Sequence, residues 1–260
     1  MSRMTARLAT IALLTLSASP ALADQTTNLR QPSPPEIRAT YDRMDALSRS
    51  VFWASEQEAA PNDPVVGVKL AQALRELGRY DQAVEAAETT LALQPANLDA
   101  MLELGRAHIA RGQAFYGIAP LEKARDQAPR DWRAWSLLGT AYEQVRRFDD
   151  ARAAWNQALT LSPNNPDVLA NAAMSAATQG DAPGAEALLR RAVAQPNASL
   201  KVKLNLAMVL GLQGKMGEAE QILRREMPPE QAERNLRWLQ DRGSPRTPDG
   251  TRTWTSLQGG

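Results

Sequence analysis

The chain has 260 residues, 43% apolar and only 5% aromatic, with 30 Lys+Arg against 29 Asp+Glu. That balance leaves no basic surplus to suggest nucleic acid as a partner. The absence of cysteine excludes disulfides, thiolate metal sites and thiol catalysis. The length suffices for one or two domains with a sizeable core. A composition rich in Ala, Leu, Glu, Gln and Arg favours helices.

Residues 1–23 read as a signal peptide. Arg3 and Arg7 flank the start, Leu8 to Leu16 is apolar, and Pro20 precedes the small-x-small run Ala21-Leu22-Ala23. Asp24 is then the first mature residue. The apolar part falls short of the roughly 20 residues of a membrane span, which argues against an uncleaved anchor. Asp24 also stands where a lipoprotein would carry Cys. Residues 24–35, with Pro32, Pro34 and Pro35, predict an extended linker. In residues 36–63, Ile37, Tyr41, Met44, Leu47 and Val51 fall at helical spacing and predict one helix from about Glu36 to Glu58.

From residue 64 the chain repeats every 34 residues. One column of small residues is Ala71, Gly105, Gly139, Ala173 and Ala207, and a second is Ala83, Gly117, Ala151, Ala185 and Ala219. Before the first column stand Leu70, Leu104, Leu138, Ala172 and Leu206. A loop column reads Gly78, Gly112, Arg146, Gly180 and Gly214. Pro61, Pro95, Pro129 and Pro163 keep the same phase. The third copy adds aromatics: Trp135, Leu138, Gly139, Tyr142, Ala151, Trp155, Ala158 and Pro163. Gly in a helix costs about 1 kcal/mol against Ala, so Gly139 inside WSLLGTAY implies a neighbour too close for a side chain.

This period with W-x2-L-G-x2-Y, A-x3-aromatic and P resembles the tetratricopeptide repeat (TPR). The resemblance implies an all-α solenoid, a right-handed superhelix of antiparallel helix pairs. Its repeats are 64–97, 98–131, 132–165, 166–199 and 200–233. Residues 36–63 become an N-terminal capping helix, a degenerate half-repeat in which Arg49 replaces a small residue. In the third repeat, helices of roughly Trp132 to Val145 and Asp149 to Leu161 cross at Gly139 and Ala151. Leu138, Tyr142 and Trp155 are expected to fill the space toward the next pair. Some copies deviate: Gly67 and Lys203 stand at a position that is usually large, and Pro196 comes one residue early. Pro229 opens a C-terminal capping helix over 230–241, with Ala232, Leu236 and Leu239 on one side. Residues 243–260, including Trp254, lack periodicity and predict a disordered tail.

No catalytic, metal or cofactor site emerges. The only histidine, His108, falls at an interior packing position. The glycines of GRAHIARG belong to repeat columns, and Asp149-Asp150 suits a helix start. Asn197-Ala198-Ser199 matches a glycosylation sequon without further support.

In TPR arrays the second, fifth, ninth and twelfth residues of each first helix line a peptide-binding groove. Here that set includes Gln72, Arg75, Arg106, Thr140, Met174, Leu204 and Met208. The Lys/Asn set that grips C-terminal carboxylates is absent. The groove reads as mixed and basic early, then apolar late, where adaptable methionines suit a partner's helix or strand. The alternative is that the C-terminal helix covers this late part.

The last repeat and cap also resemble the TadD family of tight-adherence (Flp) pilus assembly proteins. The matching residues are Asn205-Leu206-Ala207, Leu210, Leu212, Gly214, Glu218-Ala219, Pro228-Pro229, Ala232, Asn235, Trp238 and Leu239. This resemblance implies a periplasmic helper near an outer-membrane channel, with a secretin or other pilus component as partner. Two alternatives stay open: a TPR adaptor for cytochrome c maturation or another envelope process, and a regulatory subunit of an enzyme.

Overall fold

A computed structural model describes residues 31–243. The expected signal peptide, the first part of the linker and the tail beyond Gly243, with Trp254, lie outside the described residues. Among those described there are thirteen helices and no strands. α1 (Pro35–Tyr41) and α2 (Ala46–Ala59) precede five antiparallel pairs. These are α3 and α4 (Pro64–Glu76, Tyr80–Leu93), α5 and α6 (Leu98–Ala110, Ala114–Gln127), and α7 and α8 (Trp132–Gln144, Phe148–Leu161). Then come α9 and α10 (Pro166–Thr178, Ala182–Val193), α11 and α12 (Leu200–Leu212, Met216–Glu226), and α13 (Pro229–Gly243). Each first helix packs on its partner, on the helix before it and on neighbouring first helices, so the pairs stack into a solenoid.

Two side-chain columns set the helix boundaries. Asp63, Asn97, Asp131 and Asn165 each stand two residues after an in-phase proline. Each accepts a hydrogen bond from a backbone N–H in the first turn of α3, α5, α7 or α9. Between the helices of each pair, Gly78, Gly112, Gly180 and Gly214 have φ of +75° to +88°. Glycine takes this left-handed turn without steric cost. Arg146 occupies the same position at φ +64°.

The small residues at the crossings have two explanations. At Gly117 a Cβ would lie 3.2 Å from the Gly105 carbonyl oxygen, so there the backbones themselves approach. At Gly139 the close neighbour is a side chain: a Cβ would lie 2.5 Å from the Trp155 indole nitrogen. Gly105 likewise makes room for Leu121, and Gly211 for Leu239. Backbone proximity therefore does not account for Gly139; the indole packed over it does.

The N-terminal cap departs from the single helix expected. The chain breaks after Tyr41 and restarts at Ala46, where Asp45 caps α2 by accepting from the Ser48 N–H at 3.0 Å. The buried side of α2 is Ser50, Phe52, Trp53 and Glu56. Ile37, Met44, Leu47 and Val51, expected to face the core, are exposed. Packing against α3 decides which side is buried, and Trp53 and Phe52 dominate it. Arg49, its side chain 14% exposed, pairs with Glu76 on α3.

Candidate functional site

The groove positions divide into two halves. In the early half the basic side chains are held in ion pairs. Glu103 is only 5% exposed and receives the Arg75 Nε at 3.0 Å, while Arg106 pairs with its other oxygen. Both candidate arginines are thus bound to one buried carboxylate that ties α3 to α5. Gln72 donates to Glu76 at 3.1 Å, and Glu76 also holds Arg49. Burial raises the Glu76 pKa, but these hydrogen bonds outweigh it and hold the carboxyl below its ordinary value.

Thr140 donates its hydroxyl to the Ser136 carbonyl at 3.2 Å, within its own helix. The same pattern of polar stitching continues one repeat on. Glu143 accepts from Ser175 at 2.9 Å and from Thr178 at 3.1 Å, joining α7 to α9. Glu143 falls at a twelfth, groove-lining position of its helix, whereas Glu103 and Glu76 were not singled out in the sequence. Their partners on the neighbouring helix stand 27, 28, 32 and 35 residues away, which reading columns at a fixed step of 34 passes over.

The late half differs. Met174, Leu204 and Met208 are half-buried and pack on one apolar cluster. That cluster also contains Ala232, Leu236 and Leu239 of α13. The C-terminal helix joins this core and leaves all three residues partly accessible. Lys203, at the usually large position, reaches out to Glu226 at 2.9 Å.

Of the repeat-packing residues, Leu70, Ala71, Ala83, Leu104, Leu138, Tyr142, Ala151, Trp155, Ala173, Ala185, Leu206, Ala207 and Ala219 are buried. Gly105, Gly117 and Gly139 are buried too. Trp135 is half-buried, donating to the Pro129 carbonyl at 3.0 Å under the Arg125 guanidinium. Tyr142 seals against the preceding pair instead of the next. Its hydroxyl donates to Glu122 of α6 at 2.7 Å, and Arg147 lies over its ring at 4.4 Å. Burial, with the Glu122 contact, pushes the phenol up to about 12.

His108 is 6% exposed, with its Nδ1 buried and without a hydrogen-bond partner. Burial, then Arg111, pushes its pKa below the ordinary value. Among the described residues no cluster of three or more His, Asp or Glu is placed to hold a metal. None of their helices is long and apolar enough to cross a membrane.

A solenoid of capped helix pairs with a shared groove defines a protein-interaction architecture. The family model described as tetratricopeptide repeat matches residues 68–114, 117–166, 137–199 and 170–232, more than half of the chain. The chain therefore belongs to the tetratricopeptide-repeat family. Among solved structures it is similar to a TPR protein from Parabacteroides merdae (TM-score 0.64, 12% identity, 79% of this chain and 80% of that one). It is also similar to TTC0263, a thermophilic TPR protein of Thermus thermophilus (TM-score 0.58, 22% identity, 67% and 93%). A third is MamA from Desulfovibrio magneticus (TM-score 0.52, 22% identity, 60% and 88%). At these identities the likeness concerns the fold alone.

Proposed function

We propose that this chain is a non-enzymatic scaffold that binds a segment of a partner protein along its first-helix groove, chiefly at the late apolar half. The observation that carries this reading is the contrast within the groove. The early charges are bound to one another, whereas Met174, Leu204 and Met208 form one apolar surface with area still to bury. Burying apolar surface contributes roughly 25 cal/mol per Å², and methionine adapts to varied partners. The finer reading is an exported, periplasmic scaffold serving tight-adherence pilus or related secretion-system assembly. The leader-like residues 1–23 and the TadD-like residues from Asn205 to Leu239 support it.

The test is cross-linking of a tagged chain in its native host, followed by identification of what co-purifies. Recovery of a secretin or another tight-adherence component is expected. Recovery of cytochrome-maturation or envelope-assembly proteins would keep the scaffold and remove the pilus assignment. Met208→Glu is expected to reduce recovery while the purified variant keeps its helical signal and cooperative melting. Met174→Gln supplies a milder check on the same surface.

A further inference from the structure

The eleventh position of the first helices reads Leu74, His108, Tyr142, Ala176 and Leu210. At Tyr142 the ring closes the junction between α6 and α7, with Glu122 taking its hydroxyl and Arg147 covering its face. One repeat earlier His108 fills the column, and Glu88, the equivalent of Glu122, lies close enough to act on its charge. One repeat later the column holds Ala176, and Ala172 replaces the leucine found at Leu138. Both large groups are missing at the same junction.

The structure registers the loss. A cavity of about 420 Å³ opens between α8, α9 and α10, floored by Ala172 and Ala176 and walled by Trp155, Leu159 and Leu188. Arg152, Asn156, Ser175, Gln179 and Asp181 add a polar side to the lining. The buried core also divides here: one cluster runs through Trp155, and the next starts at Leu169. Asn156 occupies the position that Glu122 holds one repeat earlier.

We propose that this cavity is a binding site for a tyrosyl side chain presented by a partner protein. The chain itself supplies the template. The phenol enters where Tyr142 sits one repeat earlier, its ring against Trp155, Ala172 and Ala176, and its hydroxyl meets the Asn156 amide. The volume falls within the roughly 300–1,000 Å³ typical of ligand sites. An aromatic side chain has about 150–250 Å² to bury there. Ala172 and Ala176 lie on the side of α9 opposite Met174, since residues two apart on a helix point about 200° apart. This site is therefore separate from the groove and does not rest on it.

The test is an NMR titration of the full chain with N-acetyl-tyrosinamide, N-acetyl-phenylalaninamide, N-acetyl-leucinamide and p-cresol. Signals of Trp155, Ala172 and Ala176 are expected to shift saturably with the tyrosine probe. Its affinity should exceed that of the phenylalanine probe by about five-fold, as one added hydrogen bond implies. Ala176→Tyr fills the cavity from within, so it should abolish binding and raise Tm by about 2–4 °C. Asn156→Leu, at an exposed position, should erase the tyrosine-over-phenylalanine difference; it carries the test if Ala176→Tyr fails to fold. Absence of saturable shifts at these residues, or equal binding of the tyrosine and leucine probes, would overturn the proposal. So would unchanged binding by Ala176→Tyr. p-Cresol carries the whole tyrosyl side chain and should bind about as tightly as the tyrosine probe at the same residues; absence of p-cresol binding there would overturn recognition through the ring and hydroxyl.

Discussion

The two ends of the stack are closed by different means. At the N-terminal end a buried ion-pair network lies beside the apolar contacts of Phe52 and Trp53. Glu56 is only 1% exposed, and its carboxylate accepts from the Ser33 N–H at 3.0 Å and from the Arg38 Nε at 2.7 Å. Arg38 reaches on to Asp63 at 2.7 Å, and Asp63 caps α3. At the C-terminal end the closure is apolar. α13 lays Ala232, Leu236 and Leu239 on α11 and α12, with Leu239 filling the space over Gly211. Its outer face carries Glu233, Arg234 and Arg237, all exposed, as a terminal cap requires for solubility. A repeat edge must be covered, but its chemistry is free. The first end adds a buried ion pair to its buried area, whereas the second rests on buried area alone.

The largest expected effect breaks the ion-pair network. Glu56→Ala removes three hydrogen bonds and leaves the half-buried Arg38 short of one carboxylate. The cost expected is about 3 kcal/mol, the low end for breaking a buried pair, because Asp63 still holds Arg38. Hydrogen exchange should rise in α1, α2 and α3 and remain unchanged in α13, since stacked repeats couple mainly to neighbours. Leu239→Ala is the matching cut at the other end. It should cost about 2–3 kcal/mol, the lower part of the range for buried leucine, with faster exchange confined to α11, α12 and α13. Spread of either effect to both ends would show that the stack opens as one unit and would erase the contrast.

A third, smaller effect comes from acid. Burial raises the Glu56 pKa, but the hydrogen bonds from Ser33 and Arg38 outweigh it and hold the folded value below the unfolded one. Its contribution is therefore present above the unfolded value, near 4.5, and is lost as pH falls through the folded value. Protection factors, taken against the intrinsic exchange rate at each pH, should fall first in α1 and α2 as pH drops below 6, while the apolar contacts of α13 keep their protection. Glu56→Gln should flatten that dependence at the N-terminal end.

These contrasts were unevenly legible in the sequence. The helix pairs, their turns and the small residues at the crossings follow from columns that repeat at fixed spacing, because every copy solves the same packing problem. The closures occur once each and, apart from Trp53 and Pro61, which keep the repeat phase, carry no period. The apolar spacing of Ile37, Tyr41, Met44, Leu47 and Val51 mimics one amphipathic helix, yet Asp45 starts a new one and Trp53 selects the buried side. Asp45 followed by Ser48 was the available sign. Arg38 and Glu56 lie 18 residues apart, on different helices, and nothing local pairs them. The early groove misleads for the same reason: Arg75 and Arg106 read as free cations until Glu103 is placed between them. The apolar late half is visible in the residue types themselves, whereas how far α13 covers it depends on where the chain turns after Pro228.

The smallest effect sharpens the comparison at the level of single helix starts. At the N-terminal end Asp45 caps α2 through both carboxylate oxygens, accepting from the Ser48 N–H at 3.0 Å and from its hydroxyl at 2.7 Å. Near the C-terminal end Ser199 occupies the same role before α11 and makes no side-chain capping bond. The residue types alone would rank the two similarly, since both are favoured at this position. Their geometry does not. Asp45→Ala should cost about 1 kcal/mol, a usual value for losing a cap, with the loss reported by exchange in the first turn of α2. Ser199→Ala should change stability by no more than about 0.5 kcal/mol, as for surface substitutions away from special features. Denaturant midpoints at constant slope measure both. Equal losses would mean that Ser199 caps α11 in solution. The polar character of the N-terminal end would then lie in its buried ion pair alone.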